Sequence, residues 1–368
     1  MKNILVFFGG ITCEHDVSVI TGVMTANCLD GRGYNSVPVY VGRDGKWYGG
    51  DELKNLAVYD GKRQFKQVTL LPSDEYLYEV KKGKLKKRVR VDCAVNCMHG
   101  LNGEDGSLAG WLKLSRIPFA SPSMFSSAVS MDKYYTKIAL AGLKVPYLPY
   151  VRLQRDNYYK SKGFAKKLVA GLGLPIIIKP ANLGSSIGIA VVKEDKDFYD
   201  AVENAFRYDD KVIVEKALTN FREINCACYK SGGKYIVSEC EEPVTGKDIL
   251  TFDKKYKTPA EKKFPADLPE KISNKIRELT AYVYRKLEFT GIIRIDYLLD
   301  GEDVYINEIN SVPGSLAYYL FVRDTEQFGI LLDGIIDEAM AAYRVYESNE
   351  FTYDSGLLSG EYINGGKK

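Results

Sequence analysis

Long apolar runs are absent from this sequence. No apolar stretch approaches the roughly 18 to 20 residues that a membrane-spanning helix needs, and the apolar start at Ile4–Phe8 is too short for a signal peptide. Neither sign of charge predominates, because 51 basic residues are balanced by 48 acidic residues. We therefore expect a soluble, cytoplasmic protein that acts on small molecules, with neither nucleic acid nor membrane as a partner.

Histidine is also scarce, and the cysteine count is odd. Only His15 and His99 could complete a zinc site with Cys226 and Cys228, so no structural zinc is predicted. The seven cysteines lack the spacing of a disulfide framework, which favours free thiols. One basic run, Lys81–Arg90, contains a central glycine and alternating residues, and it indicates a solvated hairpin rather than a nucleic-acid site.

The order of apolar segments and turns indicates an α/β protein. A strand at Lys2–Phe8, a glycine turn and a helix from about Asp16 begin a βαβ unit. A smaller α+β module follows, with a helix predicted over Ser123–Ala141 and a strand over Leu174–Lys179. A third sheet is predicted from Lys211 onwards, facing the second module across a cleft.

The 368 residues suffice for two or three domains. We predict an N-terminal domain over residues 1–121, a central subdomain over 122–210 and a C-terminal subdomain over 211–347. A polar, lysine-rich stretch at about 244–263 is too long for an ordinary connection and is interpreted as a mobile lid. The remaining residues, 348–368, are polar and glycine-rich and are expected to form a flexible tail.

A turn rich in glycine and serine begins with a lysine at the end of an apolar strand. It reads KPANLGSSIG over Lys179–Gly188. Glycines let backbone N–H groups approach an anion, the hydroxyls of Ser185 and Ser186 can donate to it, and Lys179 supplies a positive charge. Because the lysine precedes the glycines, this is not a Walker A loop. The segment predicts a phosphate site, although alone it would also fit a plain hairpin.

Two apolar strands near the end of the chain carry charged residues. Asp296 shares a strand face with Arg294, and Glu308 shares one with Asn310, so a hairpin can bring two carboxylates and an amide together. Oxygen ligands of this kind suit Mg²⁺ bound with phosphate. The alternative is a structural role in which Arg294 neutralises the carboxylates.

Other positions give weaker signals. The strand Val212–Leu218 ends in a charged pair and is followed by Glu223, which together offer acceptors for an adenine and a ribose. Lys133, on a helix, could add a cation near the phosphates. Glu14 and His15 stand at the mouth of the first strand, where Glu14 could hold a substrate ammonium, and His99 could face the same crevice. Two histidines that both follow strands are a hint of one site.

Taken together and in this chain order, these segments resemble the D-alanine–D-alanine ligase family of ATP-grasp enzymes over nearly all of residues 1–345. The matching segments are Gly9–Ser18, His99–Gly106, Lys179–Gly188 and Arg294–Gly314. The resemblance implies the ATP-grasp fold, with three α/β or α+β domains and the nucleotide site between the central and C-terminal domains.

The resemblance also implies a role for individual residues. Those implied to bind ATP are Lys133, Lys179, Ser185, Ser186, Glu215, Lys216, Leu218, Glu223, Asn307 and Glu308. Those implied to bind two Mg²⁺ ions, or Mn²⁺ in their place, are Asp296, Glu308 and Asn310. Those implied to be catalytic are Glu14, Ser185, Arg294 and Gly314, the last through its backbone N–H. Those implied to contact the substrates are Glu14, His99, Arg294, Ser315, Tyr318 and Tyr319.

The implied reaction joins D-alanine to a second D-alanine for peptidoglycan precursors, through an acyl phosphate, in a possible homodimer. Two departures favour a related ligase that uses D-serine, D-lactate or another acceptor. Leu250 replaces a tyrosine that commonly bonds to the serine equivalent to Ser185, and Ser315–Leu320 is bulkier than the usual small hydroxyl residues and histidine. A non-catalytic nucleotide-binding relative is a further alternative. The presence of the polar and charged residues Lys179, Arg294, Asp296, Glu308 and Asn310 argues against it.

Overall fold

The computed structural model describes residues 1–61, 63–243 and 262–358. The predicted lid lies outside the described residues except for Lys262 and Lys263, and so do Leu250 and the last ten residues of the predicted tail. No helix in the described part of the chain has both the length and the apolar character needed to cross a membrane.

The described chain contains nine α-helices and several short 3-10 helices. The α-helices are α1 (His15–Leu29), α2 (Ser107–Leu114), α3 (Met124–Met131), α4 (Lys133–Gly142), α5 (Arg155–Lys160), α6 (Lys162–Ala170), α7 (Phe198–Ala205), α8 (Glu270–Lys286) and α9 (Thr325–Glu347). The 3-10 helices are Asp51–Lys54, Leu56–Val58, Asp195–Asp197 and Gly314–Leu320.

The strands form three main sheets and one short pair. They are β1 (Lys2–Gly9), β2 (Tyr34–Val41), β3 (Trp47–Gly49), β4 (Lys66–Leu71), β5 (Asp74–Lys81), β6 (Lys84–Arg90), β7 (Cys93–Asn96), β8 (Tyr150–Gln154), β9 (Ile176–Pro180), β10 (Ala190–Val192), β11 (Lys211–Lys216), β12 (Arg222–Ser231), β13 (Lys234–Val237), β14 (Glu242–Pro243), β15 (Lys262–Lys263), β16 (Ile292–Asp300) and β17 (Asp303–Asn310).

The first sheet has the order β6-β5-β4-β3-β2-β1-β7, with β1 parallel to both β2 and β7. Strand β1 is apolar and buried from Ile4 to Phe8 because both faces of the sheet are covered there. Phe8 packs towards α1 and Phe7 packs towards α2, as the two-residue period of a strand requires. At the other edge, β5 and β6 form the predicted solvated hairpin, in which Lys84–Arg88 are exposed.

The prediction of one continuous helix over Ser123–Ala141 is wrong, because this segment forms two helices, α3 and α4. The side chain of Asp132 accepts hydrogen bonds from the backbone N–H groups of Tyr134 and Tyr135, at 2.9 and 3.2 Å. Asp132 is therefore the N-cap of a new helix, α4. The break makes Lys133 the first residue of α4.

The second sheet has the order β10-β9-β11-β8 and is antiparallel. Its own core includes Val169 of α6 and Val202 of α7. The prediction that the strand at 211–216 belongs to the third sheet is wrong, because β11 pairs with β8 and β9. A domain boundary between residues 210 and 211 would therefore cut this sheet.

The third sheet has the order β13-β12-β16-β17 and is also antiparallel. Helix α8 packs on one face, where Ile276 lies in a core with Ile293 and Ile295. Helix α9 covers the other face, and Leu332 joins a core that also contains Phe8 of the first sheet. The first and third sheets thus share one apolar interior, and the second sheet has a separate one.

Candidate active site

A cavity of about 440 Å³ lies between the second and third sheets. Strands β9 and β11 contribute residues from one side, and β16 and β17 contribute residues from the other. Many of the residues predicted to bind ATP or metal line this cavity: Lys133, Lys179, Ser186, Glu215, Lys216, Leu218, Glu223, Asp296, Asn307 and Glu308.

The cavity lining also contains apolar side chains. Leu148, Ile177 and Phe221 are among them. A mixture of apolar walls and convergent charged groups is typical of a site for a ligand with a planar apolar part and an anionic part. The cavity therefore has the composition that a nucleotide requires.

Lys179 and Glu215 form an ion pair at the edge of this cavity. Lys179 Nζ donates to Glu215 Oε2 at 2.8 Å and to Asn307 Oδ1 at 2.9 Å. Burial alone would raise the pKa of Glu215, but the ammonium groups of Lys179 and Lys137 outweigh burial and lower it to about 2. Glu215 is therefore ionised at neutral pH.

Lys137 was not predicted to belong to the site. It lies one helical turn after Lys133 in α4, and its Nζ is 2.9 Å from Glu215 Oε1. The four-residue spacing from Lys133 places both lysines on one helix face, which is the signal that sequence reasoning overlooked.

The glycine- and serine-rich turn approaches the N-terminal domain. Ser185 and Ser186 have left-handed backbones, with φ of 54° and 58°. The hydroxyl of Ser185 donates to the carboxylate of Glu14, while Ser186 lines the cavity. The turn thus joins the predicted phosphate site to the residue predicted to hold the first substrate's ammonium.

Lys133 contacts the same turn from α4. Its Nζ donates to the carbonyl oxygen of Leu183 at 2.7 Å. A Cβ atom on Gly184 would lie 3.2 Å from Glu14 Oε2, so glycine allows the turn to pass close to this carboxylate. The arrangement places two cations, Lys133 and Lys179, beside a turn that can accommodate an anion.

The charged residues of the β16–β17 hairpin converge as predicted. Asp296 lies opposite Glu308, and Arg294 lies opposite Asn310. Arg294 binds both oxygens of Asp296, with Nε to Oδ1 at 2.6 Å and Nη2 to Oδ2 at 2.8 Å. Asn310 Nδ2 also donates to Asp296 Oδ2, at 3.0 Å.

This set of oxygen donors fits a hard divalent cation. Asp296 and Glu308 line the cavity, and Asn310 lines a smaller one beside it that also contains Glu308. The ion pair with Arg294 balances the charge of Asp296. Oδ1 of Asp296 accepts one hydrogen bond and keeps a second lone pair for a cation, whereas Oδ2 already accepts two. Two carboxylates with an amide oxygen are ligands that Mg²⁺ accepts together with phosphate oxygens.

His99 connects the N-terminal domain to the segment before Gly314. Its Nδ1 is 2.7 Å from the carbonyl oxygen of Val312, and its Nε2 is 3.1 Å from Thr21 Oγ1. Burial lowers the pKa of His99 below its ordinary value, so the ring is neutral. Because a carbonyl only accepts, the proton is on Nδ1 and the Thr21 hydroxyl donates to Nε2.

Two further residues, Thr21 and Glu104, contact the segment around Gly314, and neither contact was predicted. Thr21 Oγ1 accepts a hydrogen bond from the backbone N–H of Ser315 at 3.1 Å. Glu104 accepts from the backbone N–H groups of Gly100 and Val312, at 2.8 and 3.0 Å. Burial, with the nearby charge of Glu14, raises the pKa of Glu104 to about 8. Glu104 lies in a segment that the resemblance had marked, whereas a threonine within α1 gives no signal.

His15 does not share the crevice of His99. Its ring nitrogens lie 2.7 Å from the carbonyl oxygen of Gly10 and 3.1 Å from the hydroxyl of Tyr40. It lines a different cavity within the N-terminal domain. The suggestion that both histidines mark one site was wrong, because the helix that begins at His15 turns this ring towards β2.

The segment predicted to contact the second substrate has an unusual backbone. Ser315, Leu316 and Ala317 have φ of 52°, 50° and 49°, a left-handed turn that costs roughly 1–2 kcal/mol per residue. Neighbouring side chains hold it in place. Tyr318 packs on Phe328 with ring centroids 4.7 Å apart, and Lys262 Nζ lies 4.5 Å from the ring centre of Tyr319.

Two protein families match this chain and together span most of it. The family described as D-ala D-ala ligase N-terminus matches residues 3–122, and the one described as D-ala D-ala ligase C-terminus matches residues 139–341. The D-alanine–D-alanine ligase of Thermosipho africanus is 35% identical over 371 aligned residues, which cover 97% of this chain and 98% of the relative.

Solved structures agree with this assignment. The crystal structure of D-alanine–D-alanine ligase from Helicobacter pylori has a TM-score of 0.75 and 28% identity, covering 92% of this chain and 98% of that one. The VanG D-Ala:D-Ser ligase from Enterococcus faecalis has a TM-score of 0.75 and 27% identity, covering 93% and 99%. The predicted ATP-grasp fold is confirmed, and the chain belongs to the D-alanine–D-alanine ligase family.

Proposed function

We propose that this protein is an ATP-dependent ligase that joins two D-alanine molecules for peptidoglycan precursors. The observation that carries the proposal is the cavity in which Lys133 and Lys179 face Asp296 and Glu308. Cations on one side and an oxygen-rich metal site on the other are what transfer of the γ-phosphate of ATP needs. The names of the curated relatives support D-alanine as the substrate.

Nucleotide binding is divided between two groups of residues. Lys133, Lys179 and the hydroxyls of Ser185 and Ser186 bind the phosphates. The residues that form the adenosine pocket are Glu215, Lys216, Leu218 and Glu223, with Asn307 orienting Lys179. Asp296, Glu308 and Asn310 would hold two Mg²⁺ ions, or Mn²⁺ ions, which would supply positive charge to neutralise the phosphate oxygens.

Glu14 binds the ammonium of the first D-alanine. The hydrogen bond from Ser185 fixes the Glu14 carboxylate next to the phosphate turn, so the substrate's carboxylate is presented to the γ-phosphate. An oxygen of that carboxylate attacks the γ-phosphorus, which forms an acyl phosphate and releases ADP. The amine of the second substrate then attacks its carbonyl carbon, Arg294 and the backbone N–H of Gly314 stabilise the oxyanion, and phosphate leaves.

A different acceptor is the second candidate. His99 fixes Thr21, which in turn binds the backbone N–H of Ser315, so the acceptor segment is held in one conformation. Tyr318 and Tyr319 occupy this segment, and one structural relative is a D-Ala:D-Ser ligase. D-serine or D-lactate is therefore the alternative second substrate, because bulky aromatic groups at this position alter the shape of the acceptor site.

The test is phosphate release from ATP and Mg²⁺, first without an amino acid, then with D-alanine, then with D-alanine plus D-serine or D-lactate, with mass analysis of the products. Release with D-alanine alone, and D-Ala-D-Ala as product, is the expected result. Product formed only from a mixed pair would establish the alternative acceptor. Hydrolysis that no amino acid stimulates would indicate a non-catalytic nucleotide-binding relative.

Location, assembly and domain limits are also part of the proposal. Because ATP and the peptidoglycan precursors are cytoplasmic, we place the enzyme in the cytoplasm. We propose a homodimer, for which light scattering should give twice the mass of the chain. We retain the N-terminal domain at 1–121 and propose that the central subdomain runs past residue 210 to include β11.

A further inference from the structure

A buried lysine lies behind the nucleotide cavity. Lys137 is 3% exposed, and it is not among the described residues that line the cavity. Its Nζ lies 2.9 Å from Glu215 Oε1 and donates to the carbonyl oxygen of Leu148 at 3.5 Å. The rings of Tyr147 and Tyr150 lie 5.5 and 5.4 Å from this ammonium.

A cation is costly to place at such a position. Burial lowers the pKa of Lys137 below its ordinary value, although the carboxylate of Glu215 opposes the shift. A methionine of similar length would fill the same space without a desolvation cost. The presence of a lysine at this position is therefore explained by the ion pair of its ammonium with Glu215 rather than by the packing of its side chain.

The two oxygens of Glu215 are each paired with a different lysine. Lys137 approaches Oε1 from α4, and Lys179 binds Oε2 from the cavity side. Glu215 is 1% exposed, so its carboxylate has little solvent to satisfy an oxygen that loses its partner. The orientation of this carboxylate consequently depends on both lysines.

We propose that Lys137 is a positioning residue of the nucleotide site, which fixes Glu215 and, through Glu215, the ammonium of Lys179. The proposal rests on the proposed function only in treating the cavity as the ATP site. Without Lys137, the carboxylate has one cation left and turns towards Lys179. That movement draws the Lys179 ammonium away from the phosphates. Glu14, the residue proposed to bind the first amino acid, is not one of the residues that hold the Glu215 carboxylate.

The experiment compares Lys137→Met and Lys137→Arg with the wild type and with Lys167→Met. Lys167 is an exposed lysine in α6, so its replacement controls for the loss of one positive charge. We expect Lys137→Met to raise the KM for ATP and the Kd for ATP·Mg²⁺ by about tenfold or more, the loss that breaking a buried charge pair predicts. The KM for D-alanine should change less than about twofold. Lys137→Arg, which keeps a cation, should lose less ATP affinity, and Lys167→Met should match the wild type.

The double variant Lys137→Met/Glu215→Gln separates positioning from general stability. It removes the uncompensated carboxylate, so its melting temperature should exceed that of Lys137→Met. Because Glu215 itself belongs to the proposed adenosine pocket, the ATP affinity of the double variant is compared with that of Glu215→Gln alone, which it should match if Lys137 acts through Glu215. A purely structural role predicts the opposite pattern, in which ATP affinity follows the folded fraction. An ATP affinity within about twofold of wild type in folded Lys137→Met overturns the proposal, as does a double variant that binds ATP more than about twofold more weakly than Glu215→Gln alone.

Direct ATP binding keeps this test independent of the ligase assay. If the wild type binds ATP·Mg²⁺ but joins none of the tested substrates, the proposed function fails while the comparison of affinities still decides the role of Lys137. If Lys137→Met does not fold, the double variant and Lys137→Arg supply the comparison.

Discussion

Glu308 faces Asp296 across the β16–β17 hairpin, and both carboxylates line the cavity that we propose to bind ATP. We expect Glu308→Gln to keep the fold, because glutamine has the same shape, and to lower kcat by roughly a hundredfold or more, because it removes a charged metal ligand. The measurement is Mg²⁺-dependent phosphate release over a range of Mg²⁺ concentrations, with circular dichroism to confirm folding.

The matched control is Glu302→Gln in the turn of the same hairpin. Glu302 has a side chain that is 80% exposed and lies 3.4 Å from Lys271. This exposed pair contributes little, so turnover should be unchanged. Near-normal turnover in Glu308→Gln, with the control also normal, would show that the metal site has been assigned to the wrong residues.

At the scale of the residue, the sequence predicted the site residues that belong to recognisable motifs. Lys179, Asp296 and Glu308 stand in patterns whose chemistry is visible from spacing alone. Thr21 was not predicted, because its role comes from a hydrogen bond with Ser315, which is distant in sequence. His15 was misplaced for the same reason, since the direction of its ring is set by Tyr40 and the carbonyl oxygen of Gly10.

The turn over Lys179–Gly188, which we propose to bind phosphate, depends on Gly188 at its end. Gly188 has φ of 72°, and a Cβ there would lie 2.8 Å from Pro180 Cγ and from Tyr208 Cδ2. We expect Gly188→Ala to lower the free energy of unfolding by about 1–3 kcal/mol and to raise the KM for ATP, because the turn must shift. Thermal unfolding and ATP kinetics are the measurements.

Gly163→Ala is the control for this prediction. Gly163 lies within α6, and among the described residues no atom lies within 4 Å of an added Cβ. Alanine there should stabilise the protein by up to about 1 kcal/mol, because it favours the helix. Equal effects of the two substitutions would mean that the left-handed backbone of Gly188 is not required.

Elements were predicted well where an apolar run ends at a turn, as for β1 and β17. The break between α3 and α4 was missed, because Asp132 stands within a pattern that is otherwise continuous and its capping role depends on backbone geometry. The sheet to which β11 belongs was also missed. Strand pairing is set by the tertiary fold, and the sequence of β11 fits a buried strand in either sheet.

Over the whole molecule, the apolar cores do not coincide with the sheets. One core joins the first and third sheets, and a separate core lies within the second. We therefore expect two calorimetric unfolding transitions for the protein without ligand. Val95→Ala, in the shared core, should lower the midpoint temperature of one transition, and Val202→Ala, in the separate core, should lower that of the other. Each substitution should reduce the free energy of unfolding of its own unit by about 1–3 kcal/mol.

Both valines are fully buried, so the two variants are matched in the volume that they remove. ATP and Mg²⁺ should raise the temperatures of both transitions, because the cavity is bounded by the second and third sheets. One transition that both substitutions shift equally would instead show that the two cores unfold as one unit.

The shared core also limits how relatives can exchange segments. Phe8 near the start of the chain and Leu332 near its end pack in the same interior. In a chimera that takes residues 1–121 from another parent, the core residues would come from two different proteins. The side chains of each part would then not be matched in size and shape to those of the other. The second sheet carries its own interior, so recombination is better tolerated there, and a crossover beyond β11 transfers that unit whole.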